Sequence, residues 1–312
     1  MTTDASAIAE PLAVPAVRVR MKPHKRLTLG RQLALQALCL LIGATVLFPI
    51  AWIFSMALDP RNISRPTSLT LIPPGASLQA FAEVMKQPTP NPVTFPQLAL
   101  NSLFLAIMIA TMSVGVGVLA AYAFSRLHFT GRQVWMIAVL AVLMLPSVAT
   151  LAPLFVFLNG IRIGSFNLRD SLFGVGLAVT SSQLPFAIWN LKGYIDTIPR
   201  ELEEAASVDG AGQLRIFLNV ILPLSTPAIA VTAFLGFIAG WTEFLFSWTF
   251  LTHPENFTLA MALNGMTGQY SGNTPWSQFG AFAILVALPV SVVYLFLQRY
   301  IVSGLAIGAV KG

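Results

Sequence analysis

Charged side chains are scarce in this sequence. Asp, Glu, Lys and Arg make up 10% of the 312 residues and hydrophobic residues 56%, whereas ordinary soluble domains carry about 25% charged residues. A helix needs about 20 apolar residues to cross the hydrocarbon core of a membrane. Six runs meet that requirement, at about 34–58, 98–124, 134–158, 171–192, 225–250 and 278–301. The sequence therefore predicts an all-α, polytopic membrane protein with six transmembrane helices in contact with membrane lipid.

The residues that enzymes and metal sites need are also missing. Cys39 is the only cysteine, so neither an internal disulfide nor a thiolate metal cluster can form. His24, His128 and His253 show no metal-ligand spacing, and no nucleophile stands with a base in a catalytic pattern. A GxxxxGK[ST] phosphate loop is absent. The sequence predicts no catalytic residue, metal or cofactor on this chain, so ATP and Mg, if they drive its activity, are bound by partner subunits.

The basic residues are distributed unevenly. Counting Lys192 and Arg299 at the ends of their runs with the segments that follow, Lys and Arg number 13 in the N-terminal, second, fourth and last segments, against 5 in the other three. Because Lys and Arg are retained on the cytoplasmic side, both termini are predicted to be cytoplasmic. The net charge of +6 is thereby explained by topology, and no nucleic-acid partner is predicted.

The six runs also define the expected organisation of the chain. Residues 1–32 are predicted to form a disordered basic cytoplasmic tail, residues 33–301 the transmembrane domain, and residues 302–312 a cytoplasmic C-terminal tail. Outer loops are expected at about 59–97, 159–170 and 252–277, and a long inner loop at about 193–224. Within the fifth run, Gly236 and Gly240 form a GxxxG pair, which favours close helix packing in lipid.

The inner loop at 193–224 has helix signals of its own. Pro199 suits a first helical turn, and acidic residues near a helix N-terminus interact favourably with its dipole. Such residues follow at Glu201, Glu203 and Glu204. Gly210 suits a helix stop. A second short helix is expected from about 212 to 220, ending before Pro223.

Glu243 is the clearest charged residue inside a predicted span, and Gln183 and Asn190 in the fourth span are weaker polar signals. A charged residue at the centre of a span costs about 2.5–3.5 kcal/mol on insertion scales and is usually paired, in a cavity or functional. Glu243 therefore has two interpretations: it faces a pathway or a neighbouring subunit, or the fifth span ends near Trp241 and Glu243 lies at the outer surface. Asn190, in the fourth span, is a weaker signal of the same kind, since it can also bond a neighbouring helix.

The segment from Glu204 to Pro223 reads EAASVDGAGQLRIFLNVILP. It resembles the EAA signature of permease subunits in binding-protein-dependent ABC importers, which is E-A-A, three residues, G, nine residues, an aliphatic position, one residue, then L-P. The matching residues are Glu204, Ala205, Ala206, Gly210, Leu222 and Pro223. Val220 stands where the family usually has isoleucine, a conservative departure.

Three further segments resemble the carbohydrate-uptake branch of these permeases, most closely the second permease of maltose/maltodextrin-type systems. They are AYAFSRLHFTGR at 121–132, GWTEFLFSWTFL at 240–251 and QRYIVSGLAIGAVKG at 298–312. The resemblance implies an ABC type I importer permease fold in the bacterial inner membrane. It also implies three partners: a second permease subunit, an ATPase dimer, and a periplasmic or lipid-anchored sugar-binding protein.

The resemblance also implies roles for particular residues. The helix at Glu204 is expected to be a coupling helix that docks on the ATPase, with Glu204 as the ion-pairing residue and Ala205 and Ala206 permitting close approach. An amphipathic helix on the lipid surface is the alternative, which three glutamates beside anionic headgroups disfavour. By position, 252–277 is expected to reach the binding protein and 304–312 the ATPases. Candidates for lining the substrate pathway are Asn190, Trp241 and Glu243.

The function implied is import of a sugar, maltose, maltodextrin or a related oligosaccharide, by alternating access powered by the partner ATPases. One alternative is a permease of the same superfamily with a non-sugar cargo, which the EAA pattern does not exclude. Another is an ion-coupled secondary transporter, which would keep several ionisable residues in its spans. The sequence has essentially one, so the ABC-permease interpretation is favoured.

Overall fold

A computed structural model describes residues 28–62, 70–267 and 274–309, with residues 301–309 described by their backbone alone. The chain divides into two compact units, residues 1–49 and 50–312, and the first helix crosses that boundary. The helices are α1 (Leu29–Ala57), α2 (Gln79–Lys86), α3 (Phe95–Arg126), α4 (Arg132–Val142), α5 (Ser147–Asn159), α6 (Leu172–Ile195), α7 (Glu201–Val208), α8 (Gln213–Ile216), α9 (Leu222–Leu224), α10 (Thr226–Trp241), α11 (Leu245–Phe250), α12 (Leu259–Met266) and α13 (Trp276–Ala309).

The predicted all-α class is confirmed, with one small exception. Strands β1 (Arg162–Ile163) and β2 (Phe166–Asn167) form an antiparallel hairpin between α5 and α6. The outer loop expected at 59–97 contains α2, and its last proline, Pro96, lies in the first turn of α3. Proline is tolerated there because the first backbone N–H groups of a helix have no partner inside it.

Within the part of the chain that the structure describes, five helical segments are long and apolar enough to cross a membrane. They are Leu29–Ala57, Phe95–Arg126, Leu172–Ile195, Thr226–Phe250 and Trp276–Tyr300. The third span, expected as one helix at 134–158, is instead broken into α4 and α5, which meet at 101°. Pro146 occupies the break with an extended backbone (φ −65°, ψ 135°), because it lacks the N–H that a continuous helix requires.

Packing between α3 and α6 shows that the bent pair α4–α5 carries the chain back across the membrane. The contacts between these helices have residue numbers that rise together: Met108 with Gly176, Gly117 with Ala187, and Ser125 with Asp196. Helices α3 and α6 therefore run parallel. Two consecutive parallel spans require a crossing between them, so the bent pair acts as a broken span and the count of six spans is reached.

The core lies around α3, which packs against both α6 and α10. At Gly240 a Cβ atom would lie 2.6 Å from the Cα of Ala106, and at Gly236 it would lie 2.9 Å from the Cα of Ala110. No side chain fits at either distance. The GxxxG pair predicted from the sequence thus permits the close crossing of α10 over α3, which places the start of α10 beside the ends of α3 and α6.

Candidate coupling site

Helix α7 is the predicted coupling helix, and its bounds follow from local chemistry. Three glutamates fill its first turn, where they interact favourably with the helix dipole. Gly210 ends it in a left-handed conformation (φ +82°), with the N–H of Ala211 donating to the carbonyl of Ala206 at 3.0 Å. This is the usual glycine-terminated helix end. The helix and the stop expected from the sequence are therefore both observed.

The side chains of α7 point in two directions. None of its residues is buried, and the surface formed by Leu202, Glu204, Ala205 and Val208, here called the coupling face, is exposed. Val208 is 88% exposed and Leu202 45%. A helix that exposes apolar side chains next to a carboxylate is suited to being covered by a partner protein. The small side chains of Ala205 and the half-buried Ala206 would let that partner approach the helix backbone closely.

Glu203 points the other way, which the sequence reading missed. Its carboxylate is ion-paired with the guanidinium of Arg126, the last residue of α3, and its side chain is only 15% exposed. The acidic first turn is thus divided between a solvent-facing Glu204 and an inward-facing Glu203. One signal in the sequence could have revealed this pair. Arg126 stands at the end of the second predicted span, on the same predicted side of the membrane as the loop at 193–224.

The second half of the motif is continuous helix, so the expectation that a short helix ends before Pro223 is wrong. After α8, a π-helical turn covers Phe217–Ile221 and α9 follows directly. The N–H of Leu222 donates to the carbonyl of Phe217, five residues earlier. This wider turn shifts the hydrogen-bond register, so that Pro223 falls in a first helical turn where no N–H is needed. Leu222 is half-buried and Pro223 is exposed.

The three candidate pathway residues are bonded within the chain. The amide of Asn190 donates to the hydroxyl of Thr232 on α10 at 3.1 Å, which is the helix–helix bond weighed as its alternative. Trp241 is 3% exposed, and its indole N–H donates to the carbonyl of Val286 on α13 at 3.1 Å. It also borders a largely apolar cavity of about 400 Å³ between α10, α12 and α13. A pathway role for these residues stays a prediction.

Glu243 lies in the break between α10 and α11. The helix does end at Trp241, as the second interpretation expected, but Glu243 is not at the outer surface. Its side chain is buried, with the residue 9% exposed, so it does not lie at a solvent surface. Its carboxylate accepts hydrogen bonds from the backbone N–H groups of Phe246 at 2.6 Å and Ser247 at 3.4 Å. Glu243 therefore caps the short helix α11, whose first N–H groups have no partner inside the helix.

The opposite end of α6 holds a second polar cluster, here called the outer cluster. Asp170 accepts a hydrogen bond from the backbone N–H of Thr252 at 2.8 Å, another from the Thr252 hydroxyl, and a 2.7 Å contact from Nδ1 of His253. Nearby, the amide of Asn101 on α3 donates to the carbonyl of Glu255 at 2.7 Å. These bonds hold the start of the segment after α11 against α3 and α6. Residues 268–273, part of the same expected outer loop, lie outside the described residues.

Relatives of known designation match most of this chain. Residues 113–307 match the family described as binding-protein-dependent transport system inner membrane component. The trehalose/maltose transport system permease protein MalG of Thermococcus litoralis is 34% identical over 289 residues, 90% of this chain and 99% of that protein. The maltodextrin transport system permease protein MdxG of Bacillus subtilis is 37% identical over 216 residues, 68% of this chain and 74% of that protein.

A solved structure shares the fold. A chain of a bacterial ABC transporter involved in the import of the acidic polysaccharide alginate matches with a TM-score of 0.71 and 23% identity, over 86% of this chain and 96% of its own. The expected ABC type I importer permease fold is therefore confirmed. With its apolar helices, this is a multi-pass protein of the inner membrane. The extent of both the family match and the sequence identity establishes that the chain belongs to the family of inner-membrane components of binding-protein-dependent transport systems.

Proposed function

We propose that this chain is a transmembrane permease subunit of an ABC importer that carries a sugar into the cytoplasm. The observation that supports it most strongly is α7, a short helix that presents Glu204 and Ala205 of the EAA segment to solvent. The sugar class is supported by the relatives named for trehalose, maltose and maltodextrin transport. Maltose, maltodextrin or a related oligosaccharide is the cargo class.

The energy source is proposed to be ATP bound, with Mg, by partner subunits. Within the described ranges, no group of three or more His, Cys, Asp or Glu side chains is placed to hold a metal ion, and the sequence carries no phosphate loop. The proposed partners are a second permease subunit, an ATPase dimer and a periplasmic or lipid-anchored sugar-binding protein. This chain then contributes a path and a coupling surface rather than bond chemistry.

The proposed mechanism is alternating access driven through the coupling face. The binding protein delivers sugar on the outer side, and ATP closes the ATPase dimer on the cytoplasmic side, where both termini of this chain are proposed to lie. Because Glu204 places a carboxylate on an exposed surface, it can pair with a cation of the ATPase. Val208 and Leu202 add apolar contact area. Displacement of α7 then reaches the spans and opens the path alternately to each side.

Charge reversal at Glu204 tests this proposal. In membrane vesicles containing the complete transporter, Glu204→Lys is expected to lower sugar uptake at least about tenfold, since one unpaired interfacial charge costs about 2–5 kcal/mol. Ser207→Lys is the control, because Ser207 is exposed on the same helix but lies about 160° around it from Ala205, at the centre of the coupling face. The amount of each variant in the membrane should equal the wild type. Normal uptake by Glu204→Lys would refute the coupling role.

The cargo requires a separate measurement. Radiolabelled trehalose, maltose, maltodextrin and a non-sugar solute such as an amino acid should be presented to the complete transporter with its binding protein. The proposal predicts ATP-dependent uptake of at least one of the sugars. Uptake of the non-sugar alone would support the alternative of a permease with another cargo, and leave the coupling assignment intact. Uptake without ATP, driven by an ion gradient, would overturn both.

A further inference from the structure

Arg126 occupies an unusual position for a charged residue at the end of a span. Its side chain is 7% exposed, and every nitrogen of its guanidinium has a partner. Nη2 donates to the carbonyls of Ile195 at 3.0 Å and Ile198 at 2.8 Å, Nη1 donates to the hydroxyl of Ser125 at 3.0 Å, and Nε donates to the carboxylate of Glu203. The last carbonyls of a helix have no partner inside it and favour a cation. Arg126 therefore joins α3, the end of α6 and α7 at one point.

A second set of bonds joins the same ends of α3 and α6. The hydroxyl of Ser125, which is buried, donates to Oδ1 of Asp196 at 2.5 Å, and Nζ of Lys192 donates to Oδ2 of Asp196 at 2.5 Å. Burial acts to raise the pKa of Asp196, but these two hydrogen bonds, together with the charges of Lys192 and Arg126, outweigh it and hold the pKa below its ordinary value. The carboxylate is therefore charged at neutral pH. With Arg126 and Glu203, the group holds two cations and two anions.

Helix α7 is attached to the spans through charge rather than through apolar packing. The hydrophobic cluster beneath the loop is formed by α3, α6, the π-helical turn and α10, and contains no residue of α7. Among the side chains that the structure describes, the Arg126–Glu203 pair is the ion pair that ties α7 to a span. If α7 were held by the chain alone, residues 196–200 could bend and absorb its displacement.

We propose that Arg126 is a positioning residue that locks α7 to the ends of α3 and α6, so that the three move as one body. This rests on the proposed function, in which a partner ATPase displaces α7. The planar guanidinium donates in several directions at fixed angles, and its burial means that breaking the pair leaves an uncompensated charge. Because α3 and α6 run parallel, a displacement of α7 then reaches both spans together, in the same direction.

The ratio of ATP hydrolysed to solute imported measures this role in the complete transporter reconstituted in vesicles. Arg126→Ala is expected to raise the ratio about tenfold, within the usual range of coupling between sites, while ATP hydrolysis continues. Glu203→Ala should act in the same direction, and the double variant should be no worse than Arg126→Ala, because both remove one link. A loss of protein alone would lower hydrolysis and import equally and leave the ratio unchanged.

Two variants guard against trivial outcomes. Arg126→Lys keeps the charge but cannot donate to both carbonyls and Glu203 together, so it should assemble and give an intermediate ratio even where Arg126→Ala fails to assemble. Arg132→Gln removes a half-buried arginine that follows α3 and has no contact with Arg126 or Glu203 among the described bonds, and it should give the wild-type ratio. A wild-type ratio in Arg126→Lys and in an assembled Arg126→Ala complex would overturn the proposal.

A distance measurement tests the lock without any cargo. Since Cys39 is the single cysteine, a Cys39→Ser background permits paired spin labels at Glu201→Cys on α7 and His128→Cys just after α3, both exposed. The distance should stay narrow with and without nucleotide, and should broaden when Arg126→Ala is added. An unchanged distance in that variant overturns the lock. A narrow distance in a complex that imports no sugar would leave the lock intact and refute only the sugar proposal.

Discussion

The two ends of α6 are both tied to distant parts of the chain, but by different chemistry. At its C-terminal end the link is the buried guanidinium of Arg126, which is always charged, bound to Glu203 and to backbone carbonyls. At its N-terminal end the link is the outer cluster, in which Asp170 binds Thr252 and His253, whose side chain is 63% exposed. Both side chains of the first link are mostly buried, whereas the second joins a buried carboxylate to an imidazole that is open to water.

The two links are therefore expected to differ in how easily each one opens when the protein changes conformation. In the proposed mechanism, a link that transmits displacement from a partner ATPase has to persist through the cycle, and burial of a permanent charge makes its opening costly. In the same mechanism, the link between the segment after α11 and α6 can open when a binding protein docks, because water replaces the bonds it loses. Four measurements separate the two ends, ordered here from the largest expected effect.

Charge reversal at the buried end should have the largest effect. Glu203→Lys places a second cation against Arg126 in a site with little water, and such an unpaired buried charge costs about 3–5 kcal/mol. We expect loss of most of the assembled transporter, or at least about tenfold slower uptake, measured as complex recovered per amount of inserted chain. Recovery equal to the wild type would show that the link is weaker than its burial implies.

Removing the acceptor at the open end should have a smaller and more local effect. Asp170→Ala removes three hydrogen-bond contacts to Thr252 and His253. Each hydrogen bond to a charged group contributes about 1.5–3 kcal/mol to stability. Faster amide hydrogen exchange is expected in peptides covering 252–256, with no change in peptides covering α7. Glu255→Ala, an exposed acid in the same segment, is the control and should leave exchange unchanged.

Acid should weaken the outer link. Burial acts to raise the pKa of Asp170, but hydrogen bonds from Thr252 and His253 outweigh it and lower the pKa below its ordinary value, which is about 3.9. A lowered pKa stabilises the folded link at all pH values above the ordinary one, and that contribution is lost as pH falls through the folded pKa. The guanidinium of Arg169 and the imidazole of His253 face Asp170.

Hydrogen exchange of 252–256, corrected for its intrinsic pH dependence, should therefore show no step attributable to Asp170 from neutral pH down to about pH 4. Protection should fall below that value in the wild type, and the step should be absent in Asp170→Asn. A step near pH 5 or above that disappears in Asp170→Asn would contradict the lowered pKa.

The smallest effect is expected from Lys192. Its pair with Asp196 spans one helical turn, with side chains 22% and 41% exposed, and exposed pairs of this spacing contribute about 0.3–0.5 kcal/mol. Lys192→Ala should leave uptake within about twofold of the wild type. Thermal stability of the variant should depend less on salt concentration than that of the wild type. A loss as large as that of Arg126→Ala would mean that the two bond sets at this end act as one network.

Much of the fold was predictable because its signals are local. Apolar runs of sufficient length located the spans, and the acidic turn and Gly210 located α7 to within a residue or two. The GxxxG pair predicted a close crossing that Gly240 makes against Ala106. Prediction was wrong where hydrogen-bond register mattered. Pro146 breaks the third span, whereas the π-helical turn before Pro223 lets the helix continue.

The functional side chains were less predictable. Glu203 and Glu204 are neighbours of the same residue type, and nothing in the local sequence distinguishes them. Glu243 was identified as exceptional for its charge, but its partners are backbone N–H groups exposed by a helix break that hydropathy does not register. In both cases the deciding group belongs to another element or to the backbone itself.

The sequence by itself determined that this chain resides in a membrane, how many times it crosses, and where a short acidic helix interrupts the apolar runs, because run length and helix-end chemistry act over neighbouring residues. Tertiary structure alone decided which glutamate faces solvent and which faces the protein. Adjacent helix positions point about 100° apart, and the one that turns inward is chosen by an arginine 77 residues away in the chain, brought there by the packing of α3 against α6.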